Sequence, residues 1–275
     1  MTLGISTRTL FLTLLVGFLS DSAQASVNVE LEREDADHDG FSGELGWSLD
    51  GGLGNVVDLS FGLDGNLALR KGDNLWMLLT SGEFASEHDA DGIQLFDEES
   101  RYANEMTFHL RFNHNLNDRW TIETFTQSEY DQFLLLDRRL LAGTGGRWTI
   151  TSSEDGLINL GLAYMLEHEH LDPSTVIPSE VDTLAHRASC YISALVALSS
   201  NIEIGGAFYA QPRLTDFSDV RFFGEGWFEV GVTDRLALET SMDLRHDSDP
   251  PMTIEEEDAL DPFDLDFEQA FVWSF

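Results

Sequence analysis

Six side chains in one short stretch set the chemistry of this sequence. In RWTIETFTQSEYDQ (119–132) and LDRRLLAGTGGR (136–147), Glu123, Gln127, Glu129, Asp131, Arg139 and Arg147 all fall on odd positions. On an extended chain, alternate residues share one face, so these groups line up together. A hairpin tip near Leu135 predicts Asp131 opposite Arg139 and Glu123 opposite Arg147, and directly opposed charges of unlike sign stabilise a strand pair. Gly143 and Gly145, on the same face, are expected to leave room for large side chains from other strands. Arg187, Glu203, Arg213, Arg221, Glu225, Glu229, Glu239, Asp243 and Arg245 repeat the parity later in the chain. Alternating signs on one face describe a charge ladder across an interior. Such a ladder acts as a structural polar plug, or it lines a narrow passage that prefers cations.

Other candidates are weaker. Asp35, Asp37 and Asp39 with Gly40 have the first half of a calcium loop, with acids at positions 1, 3 and 5 and the turn glycine at 6. Gly46 stands where the bidentate acid belongs, so a solvated acidic arm competes with calcium here, and no other cofactor is implied. His246 and Ser248 have the i, i+2 spacing of a strand-borne nucleophile and base, but Ser248 borders an Asp-Pro-Pro segment that reads as a turn. His168 and His170 also share a face, yet two histidines without a third ligand are a weak metal signal. The acids at 97–99 and 255–258 read as solvated loop charges. Cys190 falls on apolar parity and reads as a small filler. No residue set supports catalysis, and the chain is expected not to be an enzyme.

The elements that position these residues are strands. Met106/Phe108/Leu110/Phe112 and Ile158/Leu160/Leu162/Tyr164/Leu166 are apolar at every second position. This is the mark of a strand with one face in an apolar medium. About twelve such strands fit between residues 42 and 275. Short connections at Lys71-Gly72, Asn117-Asp118, 152–155, Ser199-Ser200 and Thr233-Asp234 alternate with long ones at 85–100, 171–183, 214–218 and 248–263. The connections near Gly52 and Leu135 are short exceptions at the long-loop end. Short turns at one end and long loops at the other are how transmembrane barrels of the outer membrane are built. The C-terminus, FEQAFVWSF, places Phe271, Trp273 and Phe275 at alternate positions, as in a final strand that presents an assembly signal.

Composition agrees with this architecture. The chain has 275 residues, with 50 acids against 15 bases and a formal charge of −35. Lys71 is the only lysine. Such acidity excludes a nucleic-acid-binding face, which needs clustered Lys and Arg. No apolar run approaches the ~20 residues of a membrane helix. Mean hydropathy is −0.15, which excludes only a helical membrane protein, because a barrel needs every second residue apolar. Residues 1–25 read as a secretory signal: Arg8, then the apolar Leu10–Leu19, then Ala23-Gln24-Ala25. The single cysteine excludes an internal disulfide.

The run Gln127, Glu129, Asp131-x-Phe133, Leu136-x-x-Arg139 and Gly143-x-Gly145 resembles a family named for salt-induced outer-membrane proteins, a domain of unknown function. The segment His246–Pro251 and the terminal Phe275 extend the resemblance over roughly 42–275. It implies a Gram-negative outer-membrane barrel and no established activity.

The expected organisation is a signal peptide over 1–25, an acidic N-terminal arm over 26–41, and an all-β, antiparallel up-and-down transmembrane barrel over 42–275. The expected role is structural or stress-responsive in the envelope. A narrow channel for cations or small solutes is the alternative, and an outer-membrane lipid hydrolase the third reading. Expected partners are outer-membrane lipids and the barrel assembly machinery, with permeating ions or small solutes under the channel reading, no nucleic acid and a monomeric state.

Overall fold

The computed structural model describes residues 38–53, 56–89, 101–132, 134–153, 156–233, 236–254 and 261–273. Twelve strands occupy these residues in one sheet, and their spatial order is the order of the chain. They are β1 (Gly40–Leu53), β2 (Val56–Lys71), β3 (Asn74–Asp89), β4 (Arg101–Asn115), β5 (Trp120–Asp131) and β6 (Leu136–Ser153). The second half comprises β7 (Gly156–Leu171), β8 (Asp182–Ser199), β9 (Ile202–Arg213), β10 (Asp216–Thr233), β11 (Leu236–Asp247) and β12 (Phe263–Trp273). Every neighbouring pair is antiparallel. The fold is therefore an all-β up-and-down sheet. Among the described residues no ladder joins β1 to β12. The signal segment, Asp35, Asp37, Phe275 and the acids at 97–99 and 255–258 lie outside the described residues.

The period of two sets the two faces. β5 alternates exposed and buried residues along its length, and the buried set is the charged one: Glu123, Gln127, Glu129 and Asp131. Its outward set includes Trp120 and Ile122. On neighbouring strands Phe108, Leu110, Leu140, Leu160, Leu162, Ile192 and Phe208 also face out and are exposed. A large apolar surface of this kind has no place in water. Strands of 11–18 residues exceed the ~9–11 that a tilted strand needs to cross a bilayer.

The connections differ from expectation in two places. Between β9 and β10 only Leu214 and Thr215 intervene, so this connection is short. The extra residues are absorbed in a register shift between Asp216 and Val220. At the β5/β6 tip, Leu135 takes a left-handed backbone (φ 56°), and the ladder shifts between Glu129 and Asp131. Glu129 therefore stands opposite Arg139, Asp131 opposite Leu136, Glu123 opposite Gly145 and Thr121 opposite Arg147. The expected Asp131–Arg139 and Glu123–Arg147 opposition is thus displaced by two residues.

The turn end is held by local caps. Asn117 Oδ1 accepts from the amides of Arg119 (2.9 Å) and Trp120 (3.0 Å), the usual Asx turn. Gly72 adopts φ 55° in the β2/β3 turn, and its amide donates to Asp39 Oδ1 at 2.8 Å. Asp39 thus serves as a turn acceptor.

At the opposite end two long connections form a roof. Val176, between β7 and β8, pairs antiparallel with Thr253, between β11 and β12. The amide of Ile177 donates to Met252 O (3.1 Å), that of Ile254 to Thr175 O (2.8 Å), and that of Met252 to Glu180 Oε2 (2.8 Å). Val176 is 0% exposed and packs with Leu136 and Leu171, with Leu134 and Leu135 against them. That packing offsets the strain of the left-handed Leu135. Ser174 and Thr175 donate to Asp172 and hold its carboxyl below the usual carboxylate range.

Inside the sheet, glycines act as seats for aromatic rings on the next strand. Phe125 lies directly opposite Gly143, Tyr191 opposite Gly161, and Trp227 opposite Gly205. A Cβ on any of these glycines would strike the facing ring. The space expected at Gly143 for a large side chain from another strand is filled by Phe125 of β5. The concave side of β2 and β3 is apolar, with Ala68, Leu75, Met77 and Leu79 buried together. These residues interleave with the outward Trp76 and Leu78, so this segment is apolar on both faces. Replacing Gly161 by Leu should destabilise the fold by ~1–3 kcal/mol through overpacking. A lowered unfolding midpoint, read by gel migration of heated samples, checks this; an unchanged midpoint would show that the Tyr191 ring can move aside.

Candidate functional site

The concave face of β5–β11 carries one connected ionic network. Its hub is Glu167 on β7, 1% exposed. Arg139 from β6 donates to Glu167 Oε2 through Nε (3.0 Å) and also through Nη2. Arg187 from β8 donates to Oε1 at 3.0 Å, and Arg221 from β10 to the same oxygen at 3.1 Å. Each arginine reaches a second carboxylate. Arg139 Nη1 lies 3.3 Å from Glu129 Oε2, Arg187 Nη1 2.8 Å from Asp219 Oδ1, and Arg221 Nε 2.8 Å from Asp247 Oδ2. Arg221 also clamps both oxygens of Glu169, at 2.6 and 3.1 Å. Arg213 completes the chain at Asp219 Oδ2, 3.3 Å away. Seven consecutive strands contribute.

A second cluster lies nearer the turn end. Glu123 Oε2 accepts from the Tyr191 hydroxyl at 2.7 Å, with Arg111 Nη1 at 3.8 Å; Arg147 Nε stands 3.7 Å from Oε1. Arg111 also lies over the Phe125 ring, 5.1 Å from its centroid, a cation–π contact. His109 hydrogen-bonds Gln127 (3.0 Å), and Gln127 donates to Glu129 Oε2 (3.2 Å). Arg111 Nε donates to His109 Nε2 at 3.3 Å, so the two clusters are one network.

These contacts require curvature. Strands lie ~4.8 Å apart, so strands three apart are separated by ~14 Å along a sheet. Tyr191 of β8 nevertheless touches Glu123 of β5, and Arg221 of β10 touches Glu169 of β7. Concave side chains must converge for this to happen. Beneath the roof, Arg139, Glu169, Arg221, Arg245, Asp247 and Asp264 line a single pocket, together with leucines and prolines. Residues of β6, β7, β10, β11 and β12 therefore meet around one space.

The expected site residues sort into three groups. Gln127, Glu129, Arg139, Arg187 and Arg221 are brought together, and Glu123 and Arg147 meet diagonally across the shifted register. Asp131 is buried on the same face, and its Oδ1 also accepts from the Leu134 amide at 3.0 Å and caps the β5/β6 tip. Glu225 and Glu229 lie on the same strand face toward the turn end. Glu229 stands directly opposite Glu203, a like-charged pair. The parity that selects Glu129 also selects Glu167 and Glu169, but nothing in the sequence marks Glu167 as the hub. Asp219, Asp247 and Arg111 also share that parity and join the site, although sequence reasoning does not single them out.

The weaker candidates find other roles. Ser248 Oγ accepts from the Val220 amide (2.7 Å) and donates to Ser218 O (2.9 Å), while His246 stacks on Phe222. Cys190 is exposed on the outer face. Phe271 and Trp273 pair with Leu238 and Leu236 in β12. Among the described residues no three His, Cys, Asp or Glu side chains converge as a metal site.

An antiparallel meander, apolar outside and ionic within its curve, defines the structural class. A family model for a protein of unknown function, DUF481, matches residues 47–265. The chain belongs to that family. No curated protein matches it in sequence. Among solved structures, a NanC porin shares 10% identity over 85% of this chain and 99% of that one, with a TM-score of 0.46. The outer membrane channel DcaP of Acinetobacter baumannii shares 10% over 86% and 98%, at 0.34. A Pseudomonas aeruginosa FadL homologue shares 10% over 85% and 73%, at 0.37.

Removing one partner of a buried ion pair typically costs ~3–5 kcal/mol. Glu167→Gln, which leaves three guanidiniums facing a neutral amide, is expected to lose at least that much. Glu229→Gln, which relieves a like-charged opposition, should be neutral or slightly stabilising. Unfolding midpoints of the two variants in the same detergent test the contrast. Equal effects would mean that Glu167 is not a hub.

Proposed function

We propose that this chain is a monomeric β-barrel of the bacterial outer membrane, with β1 closing on β12 and a charged, largely filled lumen. Its role is structural or stress-responsive in the envelope, in keeping with the salt-induced family that the sequence resembles. One observation carries the reading. The same strands present large apolar side chains outward and a connected ionic network inward. That arrangement suits lipid outside and a side-chain plug inside. Barrels of about eight strands are filled by side chains, whereas those of sixteen or more hold water. A barrel between these sizes is filled when its interior groups pair across the lumen, and here arginines and carboxylates pair across seven strands. Arg8 and the small-x-small site before residue 26 support export.

A narrow cation-preferring passage is the second reading. It is favoured by Glu203 and Glu229, which face each other toward the turn end and would attract cations to that mouth. Conductance separates the two. Purified folded protein in planar bilayers is expected to give no steady current over a range of salts. A cation-selective current abolished by Glu129→Trp would establish the passage instead. Membrane location is checked separately: the protein should fractionate with the outer membrane and shift its gel migration on heating. Recovery in the soluble periplasmic fraction would overturn the barrel.

A further inference from the structure

One base on the concave face stands outside the ionic network. Arg139, Arg187, Arg213 and Arg221 each reach a carboxylate. Among the described residues Arg245 of β11 reaches none, and its Nη1 is buried without a hydrogen-bond partner. Asp264 of β12 stands directly opposite Arg245. Side chains so opposed start ~4.5–5.5 Å apart at Cβ, yet among the described residues no ion pair or hydrogen bond joins these two. Both line the pocket beneath the roof. A guanidinium carries five N–H donors, and a sealed donor without an acceptor costs the full loss of its hydration.

The other charged groups around the pocket are committed. Arg221 holds both Glu169 and Asp247. Arg139 is taken up by Glu167 and Glu129. Asp261 accepts from the Phe263 amide at 3.1 Å. Across the lumen, Asp131 accepts from the Leu134 amide. The pocket therefore presents one uncommitted cation and one uncommitted anion on adjacent strands.

We propose that this pocket binds a small zwitterion of the α-amino acid type, with its carboxylate on Arg245 and its ammonium on Asp264. Charge selects the class. A simple anion satisfies Arg245 but meets Asp264, and it approaches against the field of a chain carrying −35. A simple cation satisfies Asp264 and leaves Arg245 bare. A zwitterion has no net charge and pairs with both. Size narrows the class further. The cavity measures about 50 Å³, and a water-sized group needs ~10–15 Å³. Roughly three to five such groups fit, which is the size of glycine or alanine and excludes sugars and lipid headgroups. Leu136, Leu171, Pro250 and Pro262 add apolar surface suited to a methyl group. A few placed polar groups among apolar walls are the usual form of a small-molecule site. Pro250 and Pro251 lead into Met252 and Thr253 of the roof, so the roof forms part of the rim. The inference needs only the folded sheet and its roof, and it is independent of whether the lumen conducts.

The test uses the folded full-length protein in maltoside detergent, with binding read by saturation-transfer NMR titration. The probes are L-alanine, propionate and ethylamine. Propionate is alanine without the ammonium, and ethylamine is alanine without the carboxylate. L-Alanine should bind with a Kd on the order of 1 mM, and the other two at least about tenfold more weakly. Arg245→Gln should weaken alanine about tenfold and leave ethylamine unchanged. Asp264→Asn should weaken alanine to a similar degree and leave propionate no weaker. A merely structural role for either residue would not sort the probes by charge. Heat-dependent gel migration shows that each variant is folded, and the three-probe comparison on the wild type decides the matter where one is not. Propionate or ethylamine binding as tightly as alanine overturns the proposal. So does alanine binding no better than in a protein-free detergent blank, the result expected if only water fills the pocket.

Discussion

A carboxylate sealed away from water needs cations around it, and Glu167 has three. Burial of an ion costs several kcal/mol, and only close pairing with saturated hydrogen bonds recovers it. The three guanidiniums come from β6, β8 and β10, on both sides of the strand that carries Glu167. They reach it only if the sheet curls. The electrostatic demand of one side chain and the curvature of five strands are therefore the same requirement. Each arginine then needs a further acceptor, which draws in Glu129, Glu169, Asp219 and Asp247.

This network also explains where the charge lies. Most arginines of the described strands point into the curve and are matched by acids there. The outer face shows chiefly leucine, isoleucine, phenylalanine and tryptophan over the middle of the strands. A strongly acidic composition thus coexists with a strongly apolar surface, because the two occupy opposite faces of the same residues' backbone.

Much of this was legible in the sequence, and the limits are physical. A period of two assigns faces without ambiguity, so Glu123, Gln127, Glu129, Arg139 and Arg221 could be set inward by parity alone. Parity says nothing about register. A symmetric hairpin at Leu135 pairs Asp131 with Arg139, yet the left-handed Leu135 and the ladder shift move the partner to Glu129. Contacts between strands three apart, such as Tyr191 with Glu123, leave no mark in sequence because curvature creates them. The apolar concave segment at Leu75, Met77 and Leu79 is the reverse case. Its run of apolar residues was visible, but a continuous run hides which residues turn inward.

The roof has a consequence for how the chain assembles. Val176 and Thr253 are distant in sequence, and their bridge waits for β11, which Thr253 follows, to reach the sheet. Non-local contacts of this kind close late, after the loop entropy between them has been overcome. The leucine cluster around Val176 draws only on residues 134–176 and can assemble with β6 and β7, but its cover by the segment around Thr253 waits for β11. Closure of the roof over Val176 is thus timed by the arrival of β11, set by chain connectivity rather than by the strength of the contact.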